Sequence, residues 1–215
     1  MKRLLLGLAL LLLAPLLAPA HAQAPANCGV NFNPAIGINC LNIRQPTYSA
    51  ISRALVPAAS ATDIFCISGS TTKNIIISRI EISGTAGTLV NAPFTLLRRV
   101  SLDTGGTAAT GTALPAASPH NTGNATSTAV LTAYTANPTI VDSSPLYFRS
   151  TWLALPTTAA GTVQNSVIWF FGSEVEAFDQ HLDILKNTSQ QVCVNLNAVS
   201  VSSGVLDISI QWTEQ

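Results

Sequence analysis

Val205-Leu206-Asp207-Ile208-Ser209-Ile210-Gln211-Trp212 reads as a β-strand with one dry face and one wet face. Leu206, Ile208, Ile210 and Trp212 fall on one side, and Asp207, Ser209 and Gln211 on the other. That is the period of two that a pleated strand imposes on its side chains. The same period runs through Arg79-Ile80-Glu81-Ile82, within a stretch from Lys73 to Ser83. It stops at Ser83-Gly84-Thr85-Ala86-Gly87, which has the composition of a turn. Further strands are expected at Ile64–Ile67, Phe94–Val100, Thr128–Tyr134, Leu146–Leu155, Val163–Phe171, Leu182–Lys186 and Gln191–Asn197. Glu174–His181 is the one helical candidate, two turns at most. Short strands in this number, about eight or nine, predict an all-β fold. The specific expectation is a single jelly-roll-like β-sandwich of two four-stranded sheets.

The start of the chain carries a different signal. Lys2 and Arg3 precede an apolar run from Leu4 to Leu17, and Ala20-His21-Ala22 follows it. A short positive region, an apolar region and small residues around a bulkier one form the pattern of a secretory signal peptide, residues 1–22. A spanning helix needs about 20 apolar residues. The run here is shorter and contains Pro15, so a cleaved leader is expected rather than an anchor, with no membrane span in the mature form. Residues 23–60 show no sustained period and read as an irregular N-terminal arm, and residues 61–215 read as the sandwich. The expected destination is the periplasm, the cell surface or the extracellular medium.

Charge excludes one class of partner. The whole chain has ten Lys+Arg and ten Asp+Glu. No basic run exceeds Arg98-Arg99, so the electrostatic footprint of a nucleic-acid-binding surface is missing. Arg98 and Arg99 must point to opposite faces of their strand. One of them is therefore expected to face the interior or an interface and to meet a carboxylate, because an unpaired buried charge is costly. Between Thr107 and Thr128 the chain is rich in Gly, Thr, Ala, Pro and Asn. It is expected to form a long exposed loop or two weakly paired edge segments.

Cys28, Cys40, Cys66 and Cys193 make an even count in an exported chain, which reads as two disulfides. Their spacing matches no zinc pattern. Of the three pairings, Cys28–Cys40 with Cys66–Cys193 is favoured: one closes a short loop and the other ties an early strand to a late one. No metal or other cofactor is implied.

Arg79-Ile80-Glu81-Ile82-Ser83-Gly84-Thr85, Pro119-His120, Ala133-Tyr134-Thr135-Ala136-Asn137-Pro138, Val194-Asn195-Leu196-Asn197 and Asp207-Ile208-Ser209-Ile210-Gln211-Trp212 together resemble a β-rich, jelly-roll-like domain. That domain occurs in phage virion-associated proteins and in exported bacterial proteins of unknown function. The resemblance covers roughly Ala61 to Glu214 and implies a surface or particle-associated structural domain without catalytic residues. The leader departs from phage structural proteins and favours an exported bacterial relative.

The candidate chemistry is thin. His120 or His181 with Asp142 and Ser143 or Ser144 offers the residue types of a nucleophilic triad, but the Gly-x-Ser-x-Gly elbow is missing. Glu174 and Glu176 are spaced as solvated surface acids, and Asp103 before Gly105-Gly106 reads as a turn rather than a calcium loop. Trp152, Trp169 and Trp212 could stack sugars, but Trp169 and Trp212 share parity with aliphatic residues and read as core. No enzyme is expected. By alternation Ile75 and Ile77 are expected to oppose Ile76 and Ile80, and Ile168 and Phe170 to oppose Val167, Trp169 and Phe171. Strands apolar on both faces need a second cover. Ile77 and Phe170 are therefore the candidate interface residues of a homo-oligomer, a trimer or larger. The expected function is that of an exported structural or assembly protein; the alternative is a module binding a glycan or another envelope ligand through the loop between Thr107 and Thr128. The exported protein should begin at Gln23, which an intact mass will establish; a secreted product retaining Met1–Ala22 would refute the leader assignment.

Overall fold

The computed structural model describes residues 45–140, 142, 144–155, 166–171, 182–184, 186 and 189–215. Cys28, Cys40, Ser143, Glu174, Glu176 and His181 lie outside them, as do the leader, residues 1–22, and the helical candidate Glu174–His181. The sandwich unit runs from Gln45 to Gln215. Its strands are β1 (Thr47–Leu55), β2 (Asp63–Ser68), β3 (Ile75–Thr85), β4 (Val90–Arg99), β5 (Thr107–Ala108), β6 (Ser118–Pro119), β7 (Val130–Ala136), β8 (Ser144–Leu153), β9 (Val167–Phe170), β10 (Leu182–Ile184), β11 (Gln191–Asn195) and β12 (Val205–Glu214). Among the described residues no helix is long and apolar enough to cross a membrane.

Two antiparallel sheets form. The first is ordered β10-β3-β12-β1-β6, with β9 also paired to β3; the second is ordered β5-β7-β2-β11-β4-β8. The inner orders β9-β3-β12-β1 and β8-β4-β11-β2 interleave along the chain, so β1 leads across to β2, β3 to β4, β8 to β9 and β11 to β12. Successive strands that alternate sheets in this way define a jelly roll. Strands β5, β6 and β7 belong to the connection between β4 and β8, and they widen both sheets on the side of β1 and β2.

The deciding strand, β12, sits in the middle of the first sheet between β1 and β3. Leu206, Ile208, Ile210 and Trp212 are all buried, as their parity requires. They meet Phe65, Ile67, Phe94, Leu96, Val192 and Val194 from the second sheet in one continuous core. Burying such side chains stabilises by roughly 1.5–3 kcal/mol each.

Three expectations change here. Residues 47–55, assigned above to the arm, form β1, and the sandwich therefore begins at Gln45 rather than at residue 61. Its inward positions are Tyr48, Ala50 and Ser52, and small or polar residues there hide the period that hydrophobicity would reveal. The second change concerns β3. Gln211 pairs with Arg79 and Trp212 with Ile77, so Ser78 is an extra residue. A bulge shifts the parity of everything beyond it. Ile75 and Ile77 before it, and Ile80 and Ile82 after it, consequently all face the core. The third concerns 107–128. The segment takes the edge-paired form, with β5 on β7 and β6 on β1. Backbone acceptors also tether it: Ser52 Oγ donates to Ala113 O at 2.7 Å and Tyr48 Oη to Ala125 O at 2.9 Å.

The same connection is clamped at its end by Glu214. This buried carboxylate accepts from Ser127 Oγ at 2.6 Å, Thr128 Oγ1 at 2.8 Å, Thr128 N–H at 3.0 Å, Ala129 N–H at 3.2 Å and Trp212 Nε1 at 3.2 Å. Burial alone would raise its pKa, but the hydrogen bonds from Ser127, Thr128, Trp212 and Ala129 outweigh burial and hold it below the usual range. A lowered folded pKa contributes stability that is present above the unfolded pKa and lost as pH falls through the folded one. Glu214→Gln should therefore cost about 1–3 kcal/mol at neutral pH. In urea titrations the gap to the parent should close below about pH 4; equal stability at pH 7 would show that the clamp contributes nothing.

Candidate functional site

The outer face of the second sheet carries the chemistry-bearing side chains. Odd positions of β11 put Gln191, Cys193 and Asn195 outward, while Val192 and Val194 enter the core. Register then places Cys66 beside Cys193, and Arg99 beside Gln191. A bulge at Val194/Asn195 pairs Val194 with Phe65 but Asn195 with Asp63, passing over Ile64. Ile64 and Phe65 thus both reach the core, and Asp63 comes onto the outer face. Although it faces away from the core, this patch is buried.

Arg99, only 1% exposed, donates from Nε to Asp63 Oδ2 at 2.9 Å and from Nη2 to Asp63 Oδ1 at 2.7 Å. Its Nη1 donates to Asp142 O, and Asn195 Nδ2 donates to Asp63 Oδ1. Such a fork-to-carboxylate pair is specific in geometry. Removing one partner of a buried pair typically costs about 3–5 kcal/mol. One of the two arginines is buried against a carboxylate as expected, and it is Arg99, on the face of the sheet turned away from the core. Its partner lies 36 positions away in sequence, where only the fold could find it.

Cys66 and Cys193 form the disulfide expected between an early and a late strand. The loop after β4 returns over it, with Asp103 Oδ2 at 3.6 Å from Cys66 Sγ and 3.9 Å from Cys193 Sγ. Bonded sulfurs carry no hydrogen, so these are packing contacts. Gly105 and Gly106 turn the loop with φ of +66° and +74°. A side chain at Gly106 would stand 3.0 Å from Ala136 O and from the Pro138 backbone, which explains the residue type there. Asp63, Cys66, Asp103 and Cys193 bring ligand-type atoms within 4.8 Å of one another. As a disulfide beside an Arg99-paired Asp63, however, the group leaves Asp103 as its single uncommitted donor.

Asp103 is pushed up to about 7. Burial is the main cause, with hydrogen bonding to Asp63 and the charges of Asp63 and Asp142 adding to it, and Arg99 opposing them. Burial, and then the charges of Asp103 and Asp63, also raise Tyr134, which packs on the disulfide.

The remaining candidates are dispersed. His120 lies on the β1 side of the first sheet, where its N–H donates to Thr47 O. Asp142 lies against Arg99 of the second, its carboxylate accepting the Val100 N–H at 2.8 Å. The described residues therefore do not bring His120 and Asp142 together. Trp169 and Trp212 are buried, and Trp152 is 58% exposed, so the three tryptophans form no common platform. Ile77 is a core residue on the inner face of β3, which removes it from any surface of the folded protomer. Phe170 is 68% exposed and lies under the Arg79 guanidinium, 5.5 Å from its ring centroid.

Sequence reading passed over the second feature of this face. On β8, Phe148 pairs with Thr95, Ser150 with Pro93 and Trp152 with Asn91, so Phe148 and Trp152 project outward two positions either side of Ser150. Phe148 is 61% exposed, and Tyr147, on the opposite parity, is 46% exposed beside Phe171. The available signal was the run Leu146-Tyr147-Phe148, with aromatics on both parities of one strand.

No family model matches the chain, and neither a curated protein nor a solved structure matches it.

The Asp103 geometry carries a pH signature. Its folded pKa, about 7, stands above the unfolded value of 3.8. The native state therefore binds the extra proton, and the stability this group contributes is present below the unfolded value and lost as pH rises to about 7. Asp103→Asn should remove that decline from the stability–pH profile measured by denaturant unfolding. A variant with the same slope as the parent between these pH values would refute the assignment.

Proposed function

We propose that this protein is an exported, non-catalytic structural subunit that assembles with copies of itself through its sheet surfaces. The observation that carries this reading is the set of exposed aromatic side chains on β8, with Phe148 and Trp152 on its outer face and Tyr147 on the other. Contiguous exposed apolar surface marks interaction sites on soluble proteins, and aromatic side chains are the usual anchors of interfaces. Phe170 lies on β9, at the corresponding edge of the first sheet, where β8 and β9 meet through the Tyr147–Phe171 contact. Export agrees with the leader-like start and with the oxidised Cys66–Cys193 pair, a bond that persists outside reducing compartments. The interface assigned from sequence to Ile77 and Phe170 is accordingly proposed for Phe170 and the β8 strip.

A second reading, binding of a glycan at the envelope, draws on Trp152 beside Asn91, an apolar ring next to an amide. It moves the ligand surface from the 107–128 connection to β8. Light scattering of the mature protein tests the first reading: an oligomer at micromolar concentration is expected. A clean monomer at high micromolar concentration that retains glycans on an array would replace it with the second.

A further inference from the structure

We infer that the outer edge of β8 pairs antiparallel with the β8 edge of a second copy of this chain, about a two-fold axis through Ser150. This rests on the assembly reading and names its contact.

The edges of the two sheets are unequal. β5 and β6 are two residues each, β10 is three and β9 is four, whereas β8 has ten. Folded proteins blunt open edges with short strands, prolines, bulges or charge. The other terminal strands are short, and β6, which also contains Pro119, pairs only Tyr48 and Ser49 of β1. On β8 the protective features gather at one end: Pro145 and the register shift opposite Leu96/Leu97. From Tyr147 to Leu153 the strand is regular, its sole charge is Arg149, no described strand pairs its outer edge, and all its residues but Thr151 and Leu153 are exposed.

The sequence of that stretch selects a register. A two-fold perpendicular to the sheet places opposite one another residues whose side chains share a face, so the axis must pass through a residue or between equivalents of equal parity. An axis through Arg149 sets two arginines face to face, which is destabilising. An axis through Phe148 leaves Trp152 opposite Ser144. An axis through Ser150 sets Phe148 opposite Trp152 of the second copy, and Trp152 opposite its Phe148. On the other face it sets Tyr147 opposite Leu153, and Arg149 opposite Thr151. Four aromatic rings then cover one another on the outer face, with the small Ser150 at the axis and no like charges paired.

The area is adequate. Aromatic side chains bury about 150–250 Å² each when fully covered. Three half-exposed rings per copy therefore supply roughly 600 Å² in all, against the ~1,000 Å² a specific interface needs. The paired backbone edges and the stems of Arg149 and Leu146 supply the rest.

The test compares mature Ser150→Cys with Thr122→Cys, an exposed position on the far connection, under mild oxidation, alongside Phe148→Asp/Trp152→Asp in sedimentation. Ser150→Cys should form covalent dimer at least about tenfold faster than Thr122→Cys, and the double aspartate variant should dissociate at least about 30-fold more readily. Its melting temperature at a concentration where the parent is also dissociated should match the parent, because both positions are exposed. Equal cross-linking at the two cysteines, or an odd-numbered oligomer insensitive to the double variant, would overturn the β8 contact while leaving assembly intact. A parent protein that stays monomeric would overturn both.

Discussion

An arginine left with almost no exposure has to bring its counter-charge with it, and much of the second sheet is arranged around that requirement. Arg99 faces away from the core, so hydrophobic packing alone cannot explain its burial. Asp63 reaches it through a bulge, Asn195 holds the carboxylate from the next strand, and Asp142 adds a backbone acceptor. With the charges satisfied, the loop after β4 can close over them. That closure seals the disulfide, and it places Asp103 where ionisation is disfavoured. A surface that would otherwise be wet becomes a second, polar interior.

The two halves of that outer face therefore have different characters. At β2 and β11 it is covered by the protein's own loop, and its polar groups bond to one another. At β8 no described strand covers it, and Phe148 and Trp152 stand outward and exposed on either side of Ser150. A polar patch sealed from within needs no partner, whereas an apolar strip on a long free edge does. The contrast locates the proposed contact, and it separates the residues that hold the fold from those free to change without unfolding it.

Glu214 provides the corresponding constraint on the first sheet. Its carboxylate gathers the backbone and hydroxyl donors of residues 127–129 at the end of the long connection, so a segment poor in large side chains is ordered through hydrogen bonds. Composition alone predicted exposure there, and exposure is largely what the segment has. What composition could not register was the pair of hydroxyl donors waiting on β1 and the carboxylate acceptor on β12. Backbone groups carry no trace in a hydropathy pattern.

Alternation was enough to establish the all-β class, most strand positions and the inward face of β12, because a period of two leaves little choice once one face is buried. It was enough, too, to say that one of two adjacent arginines must find a carboxylate, and the even cysteine count was enough to favour Cys66–Cys193 without excluding the other pairings. It failed where one residue is inserted or where the inward side chains are small. The bulge at Ser78 turned an apparently two-faced strand into a one-faced one, taking Ile77 into the core, and Ala50 and Ser52 concealed β1. The identity of the Arg99 partner, the seat of Asp103 on the disulfide and the exposure of Phe148 and Trp152 on β8 were decided by tertiary structure alone. Each depends on which segments meet across the sheets, and local periodicity records only the face a residue turns, never the neighbour it finds there.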